Sequence, residues 1–377
     1  MVQRCDALVV GGGPAGSTVA RELVAQGLDV VVVDRAEFPR DKVCAGWITP
    51  AVMAELEIDP AAYREGGRTL QPITGFRVGL CGGGAREIAY GESVSFGIRR
   101  CELDWYLLER AGARLRLGRA VRSIEERPDG WLVDGEIETP LLIGAGGHGC
   151  PVARRLTPAG GADDALVVAQ EIEWRLDQRQ ARACAVAAET PELYFTGDLR
   201  GYGWCFRKGE YLNVGLGRLD RQGLQRHVLD FVEWLRREGR ISFDLPAGLA
   251  GHAYLLQGQR ARSAVFDRAI LVGDALGLAY PASGEGIRPA VESGLLAARV
   301  VLEADGRYDR ERLEPYDRLL GERFGEARRR PRRAPSGWRA GLARRLLASP
   351  WFVRNVVLDR WFLHRHQSPL GSERAAA

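Results

Sequence analysis

The sequence predicts an α/β protein with a mostly parallel, three-layered sheet built from both ends of the chain, a β-rich insertion and a helical C-terminal tail. Two glycine-rich stretches carry this prediction. The residues Gly11 to Gly16 follow a short apolar run near the start, and Gly273 with Asp274 follow another near the end. The third observation is that residues from about Leu166 to Leu219 read mostly as strands, which predicts a second, β-rich layer.

The first glycine stretch completes a strand-turn-helix pattern. Residues 7–10 are apolar and β-branched, and residues 17–26 have helical apolar spacing before the glycine that ends the helix. In such a turn Gly11 permits the tight bend, Gly13 lets the backbone approach a pyrophosphate, and Gly16 lets the helix pack on the strand. These features predict a Rossmann-like dinucleotide-binding unit, and a glycine-rich turn without nucleotide is the alternative.

A second apolar strand supports the dinucleotide prediction. Residues 30–33 are four valines, and they lead directly into Asp34. A carboxylate at this spacing accepts a hydrogen bond from a ribose 2′-hydroxyl and would repel a 2′-phosphate. The pattern therefore disfavours NADP at this site.

The order of these patterns predicts a discontinuous organisation. The nucleotide-binding domain would comprise residues 1–75, 97–160 and 258–305, the substrate domain 76–96 and 161–257, and the helical tail 306–377. The local patterns predict helices over 102–111, 224–238 and 286–303, and strands over 120–124, 131–133, 141–143, 165–169, 211–216 and 269–272.

Composition excludes several classes of protein. The hydrophobic fraction is 46%, the charged fraction 27% and the net charge +4, which are ordinary values for a globular protein. The seven cysteines never occur as CxxC, so we expect no disulfide framework and no metal site. We expect a cytoplasmic protein with no nucleic-acid partner. The arginine- and tryptophan-rich segment 342–366 leaves two alternatives, packing against the protein or peripheral contact with a membrane.

Six motifs, taken in order, resemble the geranylgeranyl reductase family, which is close to the FAD monooxygenases and flavin halogenases of the para-hydroxybenzoate hydroxylase fold. They are GGGPAG, Asp34, KVCAGWITP, Arg99-Arg100 before Leu103-Asp104, GYGWCF and GDALGLAYPASGEGIRPAVESG. The resemblance implies that the dinucleotide is FAD and that Asp274 accepts hydrogen bonds from the ribityl hydroxyls. It implies FAD contacts at Gly11, Gly13, Pro14, Ala15, Gly16, Asp34, Arg35, Cys44, Ala45, Arg100, Gly273, Asp274, Gly284, Gly286 and Ile287.

The same resemblance implies where the substrate lies. The segment with Cys44 would lie beside the flavin ring, where its thiol could donate a proton to a substrate carbon; a small buried hydrophobe is the alternative. Alternation on a strand would place three aromatic side chains of GYGWCF on one face, as a wall for a hydrocarbon or simply as core. The substrate residues expected are Trp47, Tyr202, Trp204, Phe206 and Pro281.

Together these features predict an FAD-dependent oxidoreductase that transfers a hydride from the reduced flavin to a carbon-carbon double bond of an isoprenoid or other hydrophobic small molecule. The external electron donor would be NADPH, NADH or a reduced protein. Two alternatives are an FAD monooxygenase of an aromatic or polyketide-like substrate and a flavin electron carrier without an organic substrate. Two residues depart from family patterns: Arg207 replaces a proline after the aromatic motif, and Gly146 replaces the aspartate that hydroxylases carry.

Overall fold

The computed structural model describes residues 2–157, 166–220, 222–257, 263–325 and 336–370. The chain forms two compact units. Unit 1 comprises Met1–Asp41, Cys101–Asp164 and Tyr254–Pro331, and unit 2 comprises Lys42–Arg100, Ala165–Ala253 and Arg332–Ala377. Each unit is therefore assembled from segments that are far apart in the sequence.

The strands of the described residues are, in chain order, β1 (Gln3–Arg4), β2 (Ala7–Val10), β3 (Val30–Val33), β4 (Trp47–Ile48), β5 (Leu70–Ile73), β6 (Gly75–Leu80), β7 (Ala85–Ala89), β8 (Ser95–Ile98), β9 (Arg114–Arg116), β10 (Ile124–Arg127), β11 (Gly130–Val133), β12 (Ile137–Thr139), β13 (Leu142–Gly144), β14 (Leu166–Arg175), β15 (Glu192–Phe195), β16 (Gly201–Lys208), β17 (Tyr211–Arg218), β18 (Ala250–Leu255), β19 (Val265–Phe266) and β20 (Ala269–Leu271).

The α-helices are α1 (Pro14–Ala25), α2 (Pro50–Glu55), α3 (Pro60–Glu65), α4 (Arg100–Arg110), α5 (Pro151–Leu156), α6 (Gln178–Ala183), α7 (Leu224–Arg237), α8 (Ile287–Glu303), α9 (Arg310–Leu313), α10 (Pro315–Phe324), α11 (Trp338–Leu347) and α12 (Pro350–Phe352). Short 3-10 turns lie at Gly147–Gly149 and Gly273–Ala275, and a π-helical segment runs over Val353–Phe362. Among the helices of the described ranges, none has the length and apolar character that crossing a bilayer requires.

Unit 1 is organised around a six-stranded sheet in the order β19-β20-β13-β2-β3-β9. Its pairings are parallel except that of β19 with β20. Every residue of β2 and β3 is buried, as expected for central strands covered on both faces. The predicted α/β fold with a mostly parallel sheet is confirmed. A smaller sheet of order β1-β12-β11-β10 belongs to the same unit.

Helices α1 and α8 pack closely in unit 1 because small residues face each other. A β-carbon at Gly294 would lie 2.8 Å from the carbonyl oxygen of Ala15 and 3.1 Å from Cβ of Thr18. Glycine at position 294 therefore serves the close packing of α8 on α1.

Unit 2 contains a seven-stranded sheet of order β18-β14-β17-β16-β15-β6-β7 and a three-stranded sheet of order β4-β8-β5. Helix α7 buries Val228, Phe231, Val232 and Leu235 in one core cluster with Cys205 of β16 and alternate residues of β17. Trp204 and Phe206 of β16 lie in a second core cluster, and Tyr202 packs against it.

The C-terminal tail packs into that second cluster of unit 2. Leu347, Val353, Val357, Leu358 and Phe362 are buried there together with the aromatic residues. The helical character of the tail is therefore confirmed, and its inner face is part of the core of unit 2.

Two features differ from the sequence predictions. The strand expected over 120–124 begins only at Ile124, because Oδ1 of Asp134 accepts hydrogen bonds from the backbone N–H groups of Arg122 and Ser123.

The unit boundaries also differ. Residues 42–75, predicted in the nucleotide-binding domain, lie in unit 2, since β4 and β5 pair with β8 and β6 pairs with β15. The predicted tail 306–377 is divided between the units at 331–332.

Candidate functional site

The first glycine stretch forms the turn from β2 into α1 in unit 1. Gly11 has φ = +120°, a conformation that residues with a side chain rarely adopt, and its N–H donates to the carbonyl of Val33. A β-carbon at Gly16 would overlap the carbonyl oxygen of Gly11, so the helix can approach the strand only with glycine there. The roles predicted for Gly11 and Gly16 in backbone geometry therefore agree with the structure.

The N-terminus of α1 fits a phosphate group. Gly13 caps the helix without any side-chain hydrogen bond, so the first backbone N–H groups have no side-chain acceptor at the cap. Of the described residues outside the turn itself, only the guanidinium of Arg40, at 3.6 Å, lies within 4 Å of where a β-carbon at Gly13 would be. An open cradle, helix N–H groups and a nearby arginine together suit a pyrophosphate.

Asp34 lies directly after β3 and is only partly buried. Its Oδ2 accepts the N–H of Gly12 at 2.8 Å, and its Oδ1 accepts the N–H of Ala36 at 2.9 Å. Each carboxylate oxygen retains lone-pair capacity, so the side chain can still accept from a ribose hydroxyl. Arg35 beside it is exposed, while Pro14 and Ala15 are buried.

The second glycine stretch meets the first one in unit 1. Gly273 has φ = +60°, donates its N–H to Oγ of Ser293 at 3.0 Å, and has Cβ of Ala15 only 2.9 Å from where its own β-carbon would be. Two motifs from opposite ends of the chain are thus in contact. This is the arrangement that one dinucleotide held by both motifs requires.

The segment that leads into α8 requires glycine at position 284, and the sequence alone does not show why. Gly284 has φ = +72°, and a β-carbon there would overlap the hydroxyl of Tyr254. A β-carbon at Gly286 would lie 3.2 Å from Oδ1 of Asp274. Asp274, the aspartate predicted to contact FAD, therefore lies close to the start of α8, where Gly286 precedes Ile287. Pro281 lies in the same segment of unit 1 and is partly buried.

A buried charge network lies in and beside α8, and sequence reasoning missed it. Oε1 of Glu292 accepts from Nε of Arg288 at 2.7 Å, and its Oε2 accepts from Nε of Arg323 at 2.9 Å. Glu285 accepts the N–H of Arg288 at 2.7 Å, and burial raises the pKa of Glu285 to about 7 against the opposing effect of that hydrogen bond. The i, i+4 spacing of Arg288 and Glu292 is the signal that the sequence offered.

The Cys44 turn, residues 42–46 of unit 2, is held by polar side chains. The N–H of Cys44 donates to Oε1 of Glu171 at 2.6 Å, and its carbonyl accepts from Nδ2 of Asn213 at 3.2 Å. Gly46 has φ = +73° and donates its N–H to Sγ of Cys44 at 3.4 Å. A β-carbon at Gly46 would overlap Nζ of Lys208. Ala45, next to Cys44, packs against the core cluster of unit 2 that contains Trp204 and Phe206.

The predicted substrate residues of unit 2 form one aromatic cluster, comprising Trp47, Tyr202, Trp204 and Phe206 with Phe76 and Phe362. Trp47 stacks on Phe206 with ring centroids 5.1 Å apart, and Tyr202 contacts Phe362 edge-on at 5.4 Å. The side chains of GYGWCF therefore alternate as the strand pattern predicts.

Four polar side chains lie on the same sheet face as these aromatic residues, and they were not identified from the sequence. We call them the polar row: Glu171 and Glu173 on β14, Asn213 on β17 and Lys208 on β16. Lys208 is 1% exposed, and its Nζ donates to Oε2 of Glu173 at 2.5 Å. The signal in the sequence was two acids at alternate positions of an apolar strand, Glu171 and Glu173.

The pKa values of the two acids in the polar row are shifted in opposite directions. Burial raises the pKa of Glu171 to about 7, although the N–H of Cys44 and the charge of Lys208 oppose the shift. Burial also acts on Glu173, but the charge and hydrogen bond of Lys208, with Arg99 beside it, hold the pKa of Glu173 below its ordinary value. Near neutral pH the row therefore contains one ionised and one partly protonated carboxyl group.

Arg207 does not face the aromatic cluster. Its Nε donates to the carbonyl of Gly209 at 3.2 Å and its Nη1 to that of Ala181 at 3.5 Å. Arg100 is the first residue of α4, and Asp104 on the same helix forms an ion pair with Arg40, at 3.3 Å. The roles predicted for Arg100, Arg35, Ile287 and Pro281 toward a ligand remain predictions.

Comparison with known proteins identifies the family. Residues 6–95 match the FAD dependent oxidoreductase family. The chain is 31% identical to a digeranylgeranylglycerophospholipid reductase of Methanothrix thermoacetophila, over 86% of this chain and 84% of that protein. It is 30% identical to a menaquinone reductase of Mycolicibacterium smegmatis, over 80% and 77% of the two chains.

A solved structure has the same fold. It is a geranylgeranyl bacteriochlorophyll reductase-like protein from Thermoplasma acidophilum, with a TM-score of 0.72 and 22% identity over 92% of this chain and 88% of that one. The fold, the contact between the two glycine motifs and the extent of these matches lead to one assignment. The chain belongs to the geranylgeranyl reductase family and is an FAD-dependent oxidoreductase.

Proposed function

We propose that this protein saturates carbon-carbon double bonds in the isoprenoid chain of a lipid-soluble substrate. The observation that carries the proposal is the aromatic cluster of unit 2, which borders the polar row on the same sheet face. Aromatic side chains suit contact with a hydrocarbon chain, and the neighbouring acids suit proton transfer. The relatives support the same class, because menaquinone and digeranylgeranylglycerophospholipid both carry isoprenoid chains.

Each group of residues has a separate task in this proposal. FAD, when bound, supplies the hydride chemistry. The N-terminus of α1 and Arg40 would hold the pyrophosphate, Asp34 a ribose hydroxyl and Asp274 the ribityl chain. The aromatic cluster would bind the apolar chain and exclude water. Cys44 stays a candidate proton donor by its predicted place beside the ring.

Anaerobic reoxidation tests this function. The protein is purified with FAD, reduced chemically without oxygen, and mixed with geranylgeranyl lipids that carry no quinone group while flavin absorbance is followed. We expect the alkene to reoxidise the flavin and a saturated analogue of the same lipid to leave it reduced. Reoxidation by oxygen alone, with an oxygenated aromatic product, would support a monooxygenase and contradict the proposal.

We also propose that the outer face of the tail contacts an anionic membrane surface. Trp338, Leu342 and Leu346 recur every four residues on α11 and are 74%, 48% and 37% exposed, and Trp351 is 68% exposed. Arg339, Arg344, Arg345 and Arg354 accompany them, and residues 336–358 contain no acid. Exposed tryptophans among arginines suit the interface of a bilayer with anionic lipids, where the substrate would be dissolved.

Vesicle cosedimentation tests this surface. We expect the protein to bind phosphatidylglycerol vesicles, more weakly as salt is added, and to bind zwitterionic vesicles less. The affinity for phosphatidylglycerol vesicles should fall at least tenfold in a Trp338→Ser, Trp351→Ser double variant. Leu229→Ser is the matched control, since Leu229 is 51% exposed on α7 of the same unit. Equal binding by the double variant and wild type would refute the proposal.

A further inference from the structure

The carboxyl group of Glu171 is buried and half-satisfied. Glu171 is 5% exposed, its Oε1 accepts from the N–H of Cys44, and its buried Oε2 has no hydrogen-bond partner within the part of the chain that the structure describes. Buried polar atoms nearly always have a partner, and an exception requires an explanation. The exception here is Oε2 of a carboxyl group. A proton on this oxygen would have no hydrogen-bond acceptor among the described residues.

Strand register places this carboxyl group next to the aromatic cluster. Glu171 on β14 pairs with Gly215 on β17, and Gly215 pairs with Trp204 on β16. A β-carbon at Gly215 would lie 2.7 Å from Cβ of Glu171 and 2.6 Å from Cε2 of Trp204. The missing side chain at Gly215 is therefore what lets the indole ring and the acid occupy adjacent space.

The neighbouring cross-strand row contains the acid that the nearby positive charges pair with. Glu173, Asn213 and Phe206 are aligned across the same three strands. Nδ2 of Asn213 donates to Glu173 at 3.3 Å, and its Oδ1 accepts from Nε1 of Trp204 at 2.6 Å. Lys208 and Arg99 both donate to Glu173, so their positive charges are directed to that residue and leave Glu171 without an ion-pair partner.

Among the described residues, the charges of Lys208 on β16 and Glu173 on β14 act on Glu171, and the N–H of Cys44 and the side chain of Asn213 lower its pKa. Burial raises the pKa of Glu171 to about 7, so much of the carboxyl is protonated near neutral pH. A general acid is most useful when its pKa is close to the working pH.

We propose that Glu171 is the proton donor of the reaction, delivering the hydrogen from its Oε2 to the substrate carbon next to the one that receives the hydride. The inference rests on the proposed function. The step balances: the double bond gains a hydride from the reduced FAD and a proton from Glu171, the flavin is oxidised by two electrons, and Glu171 becomes a carboxylate. Water restores its proton after product leaves.

This assignment replaces the thiol with a carboxyl group as the acid of the site. Cys44 then has a positioning role, because its backbone N–H holds Oε1 of Glu171 and leaves Oε2 as the oxygen that carries the proton. Glu171→Gln is the appropriate variant, since its amide oxygen can still accept from Cys44 while the proton is lost. Glu55→Gln is the matched control: Glu55 is a buried acid of the same unit whose Oε1 accepts the N–H of Leu370 at 3.1 Å.

The first readout does not require turnover. Infrared titration of the oxidised protein should show protonated carboxyl absorbance that titrates near pH 7, with contributions from Glu171 and Glu285. Glu171→Gln should lose the Glu171 contribution and keep that of Glu285, whereas Glu55→Gln should match wild type. Absorbance in Glu171→Gln equal to that of wild type would refute the inference. FAD content and the melting temperature of each variant establish that it is folded.

The second readout is anaerobic alkene saturation by the reduced enzyme across pH 5.5–9. We expect the wild-type rate to fall above about pH 7, because the acid loses its proton. Glu171→Gln should react about 10²- to 10⁴-fold more slowly and without that pH dependence, while Glu171→Asp should retain the pH dependence at an intermediate rate. Glu55→Gln should resemble wild type.

The two proposals fail in different ways. If wild type saturates the alkene and Glu171→Gln matches its rate and pH profile, only the proton-donor role is refuted. If reduced wild type saturates no alkene at any pH, the proposed function fails, and the role of Glu171 fails with it.

Discussion

At the scale of single residues, Glu171 couples the stability of the fold to pH. Its pKa is raised from 4.5 to about 7, so between these values the folded protein holds a proton that the unfolded chain releases. The folded state binds more protons in this window, and stability therefore falls as pH rises through it, by up to roughly 3 kcal/mol from this group.

Urea unfolding of wild type and Glu171→Gln at pH 4.5 and pH 8, followed by tryptophan fluorescence, measures this coupling. The variant should gain stability relative to wild type on going to pH 8, by up to roughly 3 kcal/mol. Parallel pH dependence of the two proteins would show that Glu171 titrates normally.

Gly16 provides a second test at this scale. An alanine there would place a methyl group on the carbonyl oxygen of Gly11, so the turn or the helix must move. We expect Gly16→Ala to lose at least tenfold in FAD affinity and about 1–3 kcal/mol of stability. Equilibrium FAD titration and thermal unfolding measure both effects.

Gly321 is the matched control for that substitution. It lies within α10 of the same unit, and a β-carbon there would meet nothing within 4 Å. Gly321→Ala should leave FAD affinity unchanged and stabilise the protein by about 0.5–1 kcal/mol through helix propensity. A Gly16→Ala protein that behaves in the same way would contradict the close approach of strand and helix.

At the scale of elements, the tail has two different faces. Leu358 is fully buried in the aromatic cluster of unit 2, whereas Leu342 on α11 is 48% exposed. Leu358→Ala should therefore lower the free energy of unfolding by about 2–5 kcal/mol, and Leu342→Ala should change it by less than about 0.5 kcal/mol. Similar effects of the two substitutions, measured by urea unfolding, would contradict the packing of the tail.

The elements also show which parts of the site were predictable. Local periodicity predicted β2, β3, α7 and α8, because each has a strong apolar pattern and clear glycine signals. It did not predict the polar row, which forms only when β14, β17 and β16 pair in one sheet. A shift of one residue in the register of β14 would turn Glu171 to the opposite face, and single-sequence patterns do not fix register.

At the scale of the whole molecule, the two units divide the site residues. Unit 1 contains both glycine motifs, Asp34 and Asp274, while unit 2 contains the Cys44 turn, the aromatic cluster and the polar row. The sequence predicted a discontinuous chain but placed residues 42–75 with the nucleotide motifs. Strand pairing determines where they belong, and pairing partners such as β6 and β15 are far apart in the sequence.

The central claim is that this FAD-dependent oxidoreductase reduces an isoprenoid double bond with one hydrogen from the flavin and one from the protein. The most direct test is a single anaerobic turnover in deuterated water by enzyme reduced beforehand, with the product examined by mass spectrometry. We predict a product with one double bond fewer and deuterium at both saturated carbons, because the N5 hydrogen of the reduced flavin and the proton of an acidic protein group both exchange with the solvent. Unchanged substrate without oxygen, together with a product that contains an added oxygen atom in air, would contradict the claim.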